Sequence, residues 1–254
     1  MDELLPILEF DSDREAIIEP AKVIDDRDVP EHCLITFFWE MIGNAAGELK
    51  MQPIAPFSSG ANDIPIYSAT YKNCTLAVAP CPVGSPVAAA LLEELIARGG
   101  SKFVVCGGAA VLDSTIAAGD IIIPTSAVRD EGTSYHYLPP MREVTPTVRV
   151  VNLLRDVVEE HKCRYVLGKT WTTDAIYRET RGKRARRSQE GCITVEMEAS
   201  ALFAVAQFRA VEIGLLLLAG DDVSGIAWDP RDSGRNLSAR EKLFWLAAEM
   251  CVRL

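Results

Sequence analysis

Two glutamates, Glu196 and Glu198, bracket Met197 where the apolar run ending at Val195 passes into the helix-like stretch ASALFAVAQFRA. A carboxylate in so apolar a setting is costly unless something hydrogen-bonds to it. On a strand, residues two apart face the same side, so both carboxylates converge on one polar ligand. If Glu198 instead opens the helix, its charge is favoured there by the helix dipole. Both readings stand on local chemistry. A second acidic pair, Asp221 and Asp222, closes the run GLLLLAGDD. An acid held partly out of water at a strand end is suited to donating a proton, although Asp-Asp before Ser-Gly is also ordinary turn chemistry.

Two glycine-bearing stretches, PVGSP at 82–86 and CGGAA at 106–110, read as turns whose backbone amides approach an anion. Neither fits the dinucleotide fingerprint or the P-loop pattern. His32, His136 and His161 have no metal-ligand spacing, and the seven cysteines form no CxxC pair. We read no metal site, and a reducing, cytoplasmic setting in which the thiols pack as small hydrophobes. Cys81 and Cys106 flank the glycine stretches, but no histidine is placed to activate them. The segment 178–187 holds five arginines and one lysine, read as a solvated helix or a flap.

The elements that must position these groups alternate. TLAVAP (75–80) is a buried strand, and VAAALLEELIARGG a helix stopped by Gly99 and Gly100. KFVVCGGAA (102–110) is a strand expected to end at its glycine pair, and GDIIIPTSAV (119–128) another. An amphipathic helix at 148–162, a strand at YVLGKTWTTDA, the strand-to-helix segment around Glu196 and the strand 214–222 follow. Ser238 and Glu241 suit a capping box before the last helix. The run CLITFFWEMI (33–42) fits a helix or a buried strand equally. This alternation is that of an α/β layered protein with ligands at strand ends.

The 254 residues contain no linker and no repeat, and 48% are hydrophobic against 24% charged, as in a globular chain with a sizeable core. A net charge of -10 argues against nucleic acid as a partner. The acidic start MDELLPILEF is not a signal peptide, and LLLLA at 215–219 is far too short to span a membrane.

The motif VEMEAS at 195–200, supported by GSPVAAALLEEL, AAGDIIIPTSAVRDEGTSYHY and TTDAIY, resembles the nucleoside phosphorylase family that includes uridine phosphorylases and hexameric purine nucleoside phosphorylases. The resemblance runs from about Thr75 to Asp222 and implies a single α/β domain over residues 1–254, with a central mixed, partly barrel-like sheet flanked by helices. It implies a pentosyltransferase of nucleoside metabolism and purine salvage, cleaving the N-glycosidic bond of a purine nucleoside with phosphate as co-substrate and no other cofactor. A hydrolytic nucleosidase and a non-catalytic nucleoside-binding protein are the alternatives. The resemblance also implies a homo-oligomer, a dimer or trimer of dimers.

Carried over by position, Glu198 grips ribose hydroxyls with Glu196 beside it, Met197 packs on the sugar, and Asp221 protonates or hydrogen-bonds N7 of the leaving base. Val195, Ile176, Tyr177, Gly108 and Ala109 complete the implied substrate-binding set, while Gly84, Gly107 and Gly108 supply amides to phosphate. Several positions depart from the family pattern. Val105 stands in place of an arginine and Gly108 in place of a serine or threonine, while Thr180 and Gly182 replace the glutamine and arginine that hold uracil. Ile176 falls where an aromatic residue stacks on the base, leaving Tyr177 or Trp171 as substitutes. Arg14, Arg27 and the 178–187 run are the cations that remain to serve phosphate.

Overall fold

The computed structural model describes residues 5–58, 63–231 and 236–254; Met1–Leu4 of the acidic start lie outside them. One mixed sheet organises the chain. Four strands run parallel: β4 (Cys74–Pro80), β1 (His32–Thr36), β5 (Lys102–Val111) and β10 (Glu212–Asp222). β5 and β10 join β6 (Ile121–Asp130), β8 (Tyr165–Thr173) and β9 (Cys192–Glu196) in a closed ring of five strands in the order β5, β10, β6, β8, β9. Beyond β4 the sheet continues into β3 (Asp63–Tyr71) and β2 (Gln52–Ser58), two antiparallel strands, and the short β7 (Glu143–Val144) pairs with β6.

Period-two alternation sorts side chains to the two faces. In β10, Ile213, Leu215 and Leu217 join the core shared with α3 (Ser85–Ala97) and α6 (Ala199–Arg209). Leu216 and Leu218 face the opposite core, with α4 (Val148–Glu160) and α7 (Leu237–Arg253). Helix α6 is buried from Ala199 through Ala206, which explains why its sequence is apolar all round rather than striped.

Three local readings need correction. Residues 33–42 are both things at once, the end of β1 and the start of α2 (Glu40–Ala45), because Thr36 Oγ1 accepts from Phe38 N–H and turns the chain between them. β5 does not stop at Gly107 and Gly108; both stay in register with Leu217 and Leu218 of β10. The cap of α7 is Asn236, whose Oδ1 accepts from Ala239 N–H, rather than a box built on Ser238. Among the described residues, no helix is long and apolar enough to cross a membrane.

Candidate active site

The site forms where parallel strands end. β5 is paired along one edge by β10, while its other edge is shared by two shorter strands: β1, in register as far as Cys106, and β9, in register only from Ala110. Between them only Gly108 turns its N–H and C=O to this edge without a ladder partner, because neighbouring residues of a strand point to opposite edges and Gly107 and Ala109 face β10. Backbone groups so placed need water or a ligand. Gly108 is exposed in an otherwise buried strand, and a Cβ built on it meets open space, so the absent side chain leaves the gap accessible. A Cβ at Gly107 would lie 2.9 Å from the Phe37 ring.

At one end of this gap stands Glu198. The turn after β4 places Gly84 at φ 121°, a conformation glycine alone adopts readily, and its N–H donates to Glu198 Oε1 at 2.6 Å. Ser85 Oγ donates to the Met197 carbonyl at 2.7 Å, tying the start of α3 to the start of α6. β9 ends at Glu196, so the two glutamates do not share a strand face, and their carboxylates part. Glu196 accepts from the N–H groups of Glu198 at 2.7 Å and Ala199 at 2.6 Å, and from Thr172 Oγ1 at 2.6 Å. It caps the helix from which Glu198 projects, taking the dipole-facing role that local chemistry offered to Glu198.

The electrostatics follow from this division. Burial raises both carboxyl groups, but donors surround Glu196 and favour its anion. For Glu198 burial comes first and the negative charge of Glu196 second, and together they push it up to about 8. Both carboxyl groups are thus held above the usual range, and a charge on Glu196 raises Glu198 further.

On the opposite edge of β5, a register shift between Ala219 and Asp222 marks a bulge in β10 that carries Asp221. Asp222 turns inward, ion-paired with Arg231, and its Oδ1 accepts from Ser224 N–H at 2.7 Å. Asp221 is half-buried and accepts from the Trp228 indole N–H at 2.6 Å.

The remaining expected residues fall around this frame. Val195 pairs with Ala110 and packs in a small cluster with Trp171 and Leu112. Ala109 is buried beside the gap. Ile176 and Tyr177 lie on an exposed one-turn helix, Ile176–Arg178. Trp171 is fully buried with its indole N–H on Asp130 Oδ2 at 2.9 Å, so it is not free to stack in the gap. Val105 is a core residue, 1% exposed.

Five of the candidate cations bond carbonyls or carboxylates of the chain itself. Arg14 bonds the Phe208 carbonyl near the far end of α6. In α5 (Arg181–Gln189), Arg187 and Lys183 hold Asp130, while Arg184 and Arg181 reach the carbonyls of Val223 and Ile226. The basic run is thus a strap on the loop that carries Trp228.

Sequence reasoning missed Glu179 and Trp228, which line one cleft beside Asp221. Burial, then the charge of Asp221, push Glu179 up to about 7. The available signals were an acid inside the segment assigned to the base and a tryptophan in an otherwise polar loop.

A closed five-strand ring with acids at its strand ends defines an α/β protein whose candidate site lies at the carboxyl edge of its parallel strands. The chain belongs to the Phosphorylase superfamily, whose family model matches residues 43–245. It is 31% identical to a uridine phosphorylase of Treponema pallidum over 60% of this chain, and 27% identical to a guanosine phosphorylase of Halorubrum lacusprofundi over 59%. It spans 63% of the length of each. Among solved structures, a uridine phosphorylase of Vibrio fischeri superposes with a TM-score of 0.77 at 18% identity, covering 90% of this chain and 95% of that one.

Proposed function

We propose that the protein cleaves the N-glycosidic bond of a purine nucleoside, with phosphate as the attacking group, giving free base and ribose 1-phosphate. The observation that carries this reading is a pair of acids held at strand ends, Glu198 by the Gly84 amide beyond β9 and Asp221 by the Trp228 indole on the bulge of β10. Glycosidic cleavage develops positive charge on the sugar and negative charge on the base, and preorganised partners for each lower the barrier. Glu198 holds ribose hydroxyls against Met197, Glu196 fixes the helix start behind it, and Asp221 hydrogen-bonds or protonates N7 as the C–N bond breaks. The superfamily match supports the reaction class. Relatives named for uridine and for guanosine leave the base open. Preference for a purine is supported by Thr180, whose hydroxyl is used to cap α5, and by the absence of an amide or guanidinium at Gly182.

Of the amides assigned to phosphate, Gly108 N–H is the one turned to the open edge, since Gly107 N–H points to β10 and Gly84 N–H is bonded to Glu198. Hydrolysis is the second reading, favoured by two observations: Val105 is buried in the core, and the Gly84 N–H is already bonded to Glu198. A homo-oligomer belongs to the proposal, supported by the exposed Val83, Trp39, Ile176 and Tyr177.

The deciding experiment measures base release from inosine, guanosine, adenosine and uridine with and without phosphate, with the mass of the active species read by light scattering. Release that requires phosphate and yields ribose 1-phosphate is expected. Equal release without phosphate, giving free ribose, replaces phosphorolysis by hydrolysis; no release at all removes the enzyme reading, and an active monomer removes the oligomer.

A further inference from the structure

The cleft between α5 and the loop after β10 has a volume of about 130 Å³ and is lined by Trp171, Glu179, Arg181, Arg184, Val223 and Trp228, among others. Trp228 joins it to the base-side acid, since its indole N–H is the donor to Asp221. Glu179 is the unusual member. It follows the one-turn helix Ile176–Arg178, is half-buried, and among the described residues nothing donates a hydrogen bond to its carboxyl. Two arginines line the same cleft, yet both direct a guanidinium N–H to the loop, Arg184 to the Val223 carbonyl at 3.4 Å and Arg181 to the Ile226 carbonyl at 3.2 Å. A half-buried acceptor without a protein donor, beside cations turned to other partners, is free to accept from a ligand.

We propose that this cleft receives the far edge of the base and that Glu179 is its specificity-determining residue, accepting from N1–H and the 2-amino group of a 6-oxopurine. The inference rests on the nucleoside reading above and narrows it to guanine-type bases. Guanine offers a carboxylate two parallel donors, a charge-assisted bidentate contact. Hypoxanthine offers one. Adenine turns the N1 lone pair toward the carboxylate, and a site with a buried polar group rejects a partner that leaves it unpaired. Burial and the neighbouring Asp221 hold Glu179 near pH 7, with Arg181, Arg184 and the neutral Trp228 as the other groups facing the cleft, so the acceptor form prevails at pH 8.

The test is a tryptophan-fluorescence titration of free guanine, hypoxanthine, adenine and uracil at pH 8 into the full chain and its Glu179→Gln and Glu179→Asp variants. The wild type is expected to bind guanine more tightly than adenine by on the order of 10- to 100-fold, with hypoxanthine between. Glu179→Gln should lose that margin through weaker guanine binding, and Glu179→Asp should retain part of it. An unchanged guanine-to-adenine ratio in Glu179→Gln, uracil binding as tight as guanine, or no base binding by the wild type each overturns the proposal. Glu179-dependent guanine binding without base release from any nucleoside would keep this inference and remove the enzyme reading. Base release with an unchanged ratio in Glu179→Gln would do the reverse.

Discussion

The two ends of the candidate site, assigned in the proposed reading to the sugar and to the base, are built differently. At the sugar end, Glu198 stands between the starts of two long helices, α3 and α6, held by the Gly84 amide and backed by Glu196. At the base end, Asp221 sits on a bulge, and its partner Trp228 is 66% exposed on a loop held by arginines reaching its carbonyls. Bond-breaking chemistry common to every nucleoside needs fixed geometry, which packed elements supply. Choice among bases tolerates change, and loops carry it.

The largest effect should come from the sugar end. Glu198→Gln is expected to lower kcat/KM by about 10²- to 10³-fold, the scale of losing one preorganised contact to the transition state. Its stability should move the other way. Because the folded chain holds the Glu198 proton up to about 8 while an unfolded glutamate releases it near its model value of 4.5, the folded state binds more protons across that window. Wild-type stability therefore falls as pH rises through it. The variant, with no charge to bury, should gain on the wild type between pH 5 and pH 9 by up to about 4 kcal/mol. Urea midpoints at the two pH values test this, and a constant gap would mean that Glu198 is not buried as a proton carrier.

Glu196 sharpens the contrast because it is a carboxylate of the same motif with the opposite duty. Its oxygens face backbone N–H groups and the Thr172 hydroxyl, so an amide nitrogen placed there meets donors. Glu196→Gln should lose about 1–3 kcal/mol of stability at pH 7, the scale of an unsatisfied buried group. Activity should fall mainly through KM, as Glu198 loses its seat. If thermal melts instead found the variant as stable as the wild type, the division of labour between the two glutamates would fail.

Much of the architecture was legible because strands and helices announce themselves by local periodicity, and VEMEAS marked the junction of β9 and α6 within six residues. What escaped depends on distance along the chain. The gap at Gly108 exists only because β1 ends at Thr36 and β9 ends its pairing at Ala110, and no segment taken alone contains that fact. The role of Glu196 needs Thr172, 24 residues away. Glu179 and Trp228 lie in irregular segments with no period to betray a facing side, and meet only when α5 straps the loop down.

The smallest expected effect probes that loop. Trp228→Phe keeps an aromatic ring of similar reach and removes the one N–H that orients Asp221. Because the residue is largely exposed, stability should change by less than about 0.5 kcal/mol. Loss of one positioning hydrogen bond should lower kcat by about 3- to 10-fold, with the binding of ribose itself untouched. Steady-state kinetics beside a thermal melt separate these outcomes. Wild-type kcat would show that Asp221 needs no partner from the loop. A loss as deep as that of Glu198→Gln would show that the base end is as tightly preorganised as the sugar end, and the contrast between a fixed half and an adaptable half would not hold.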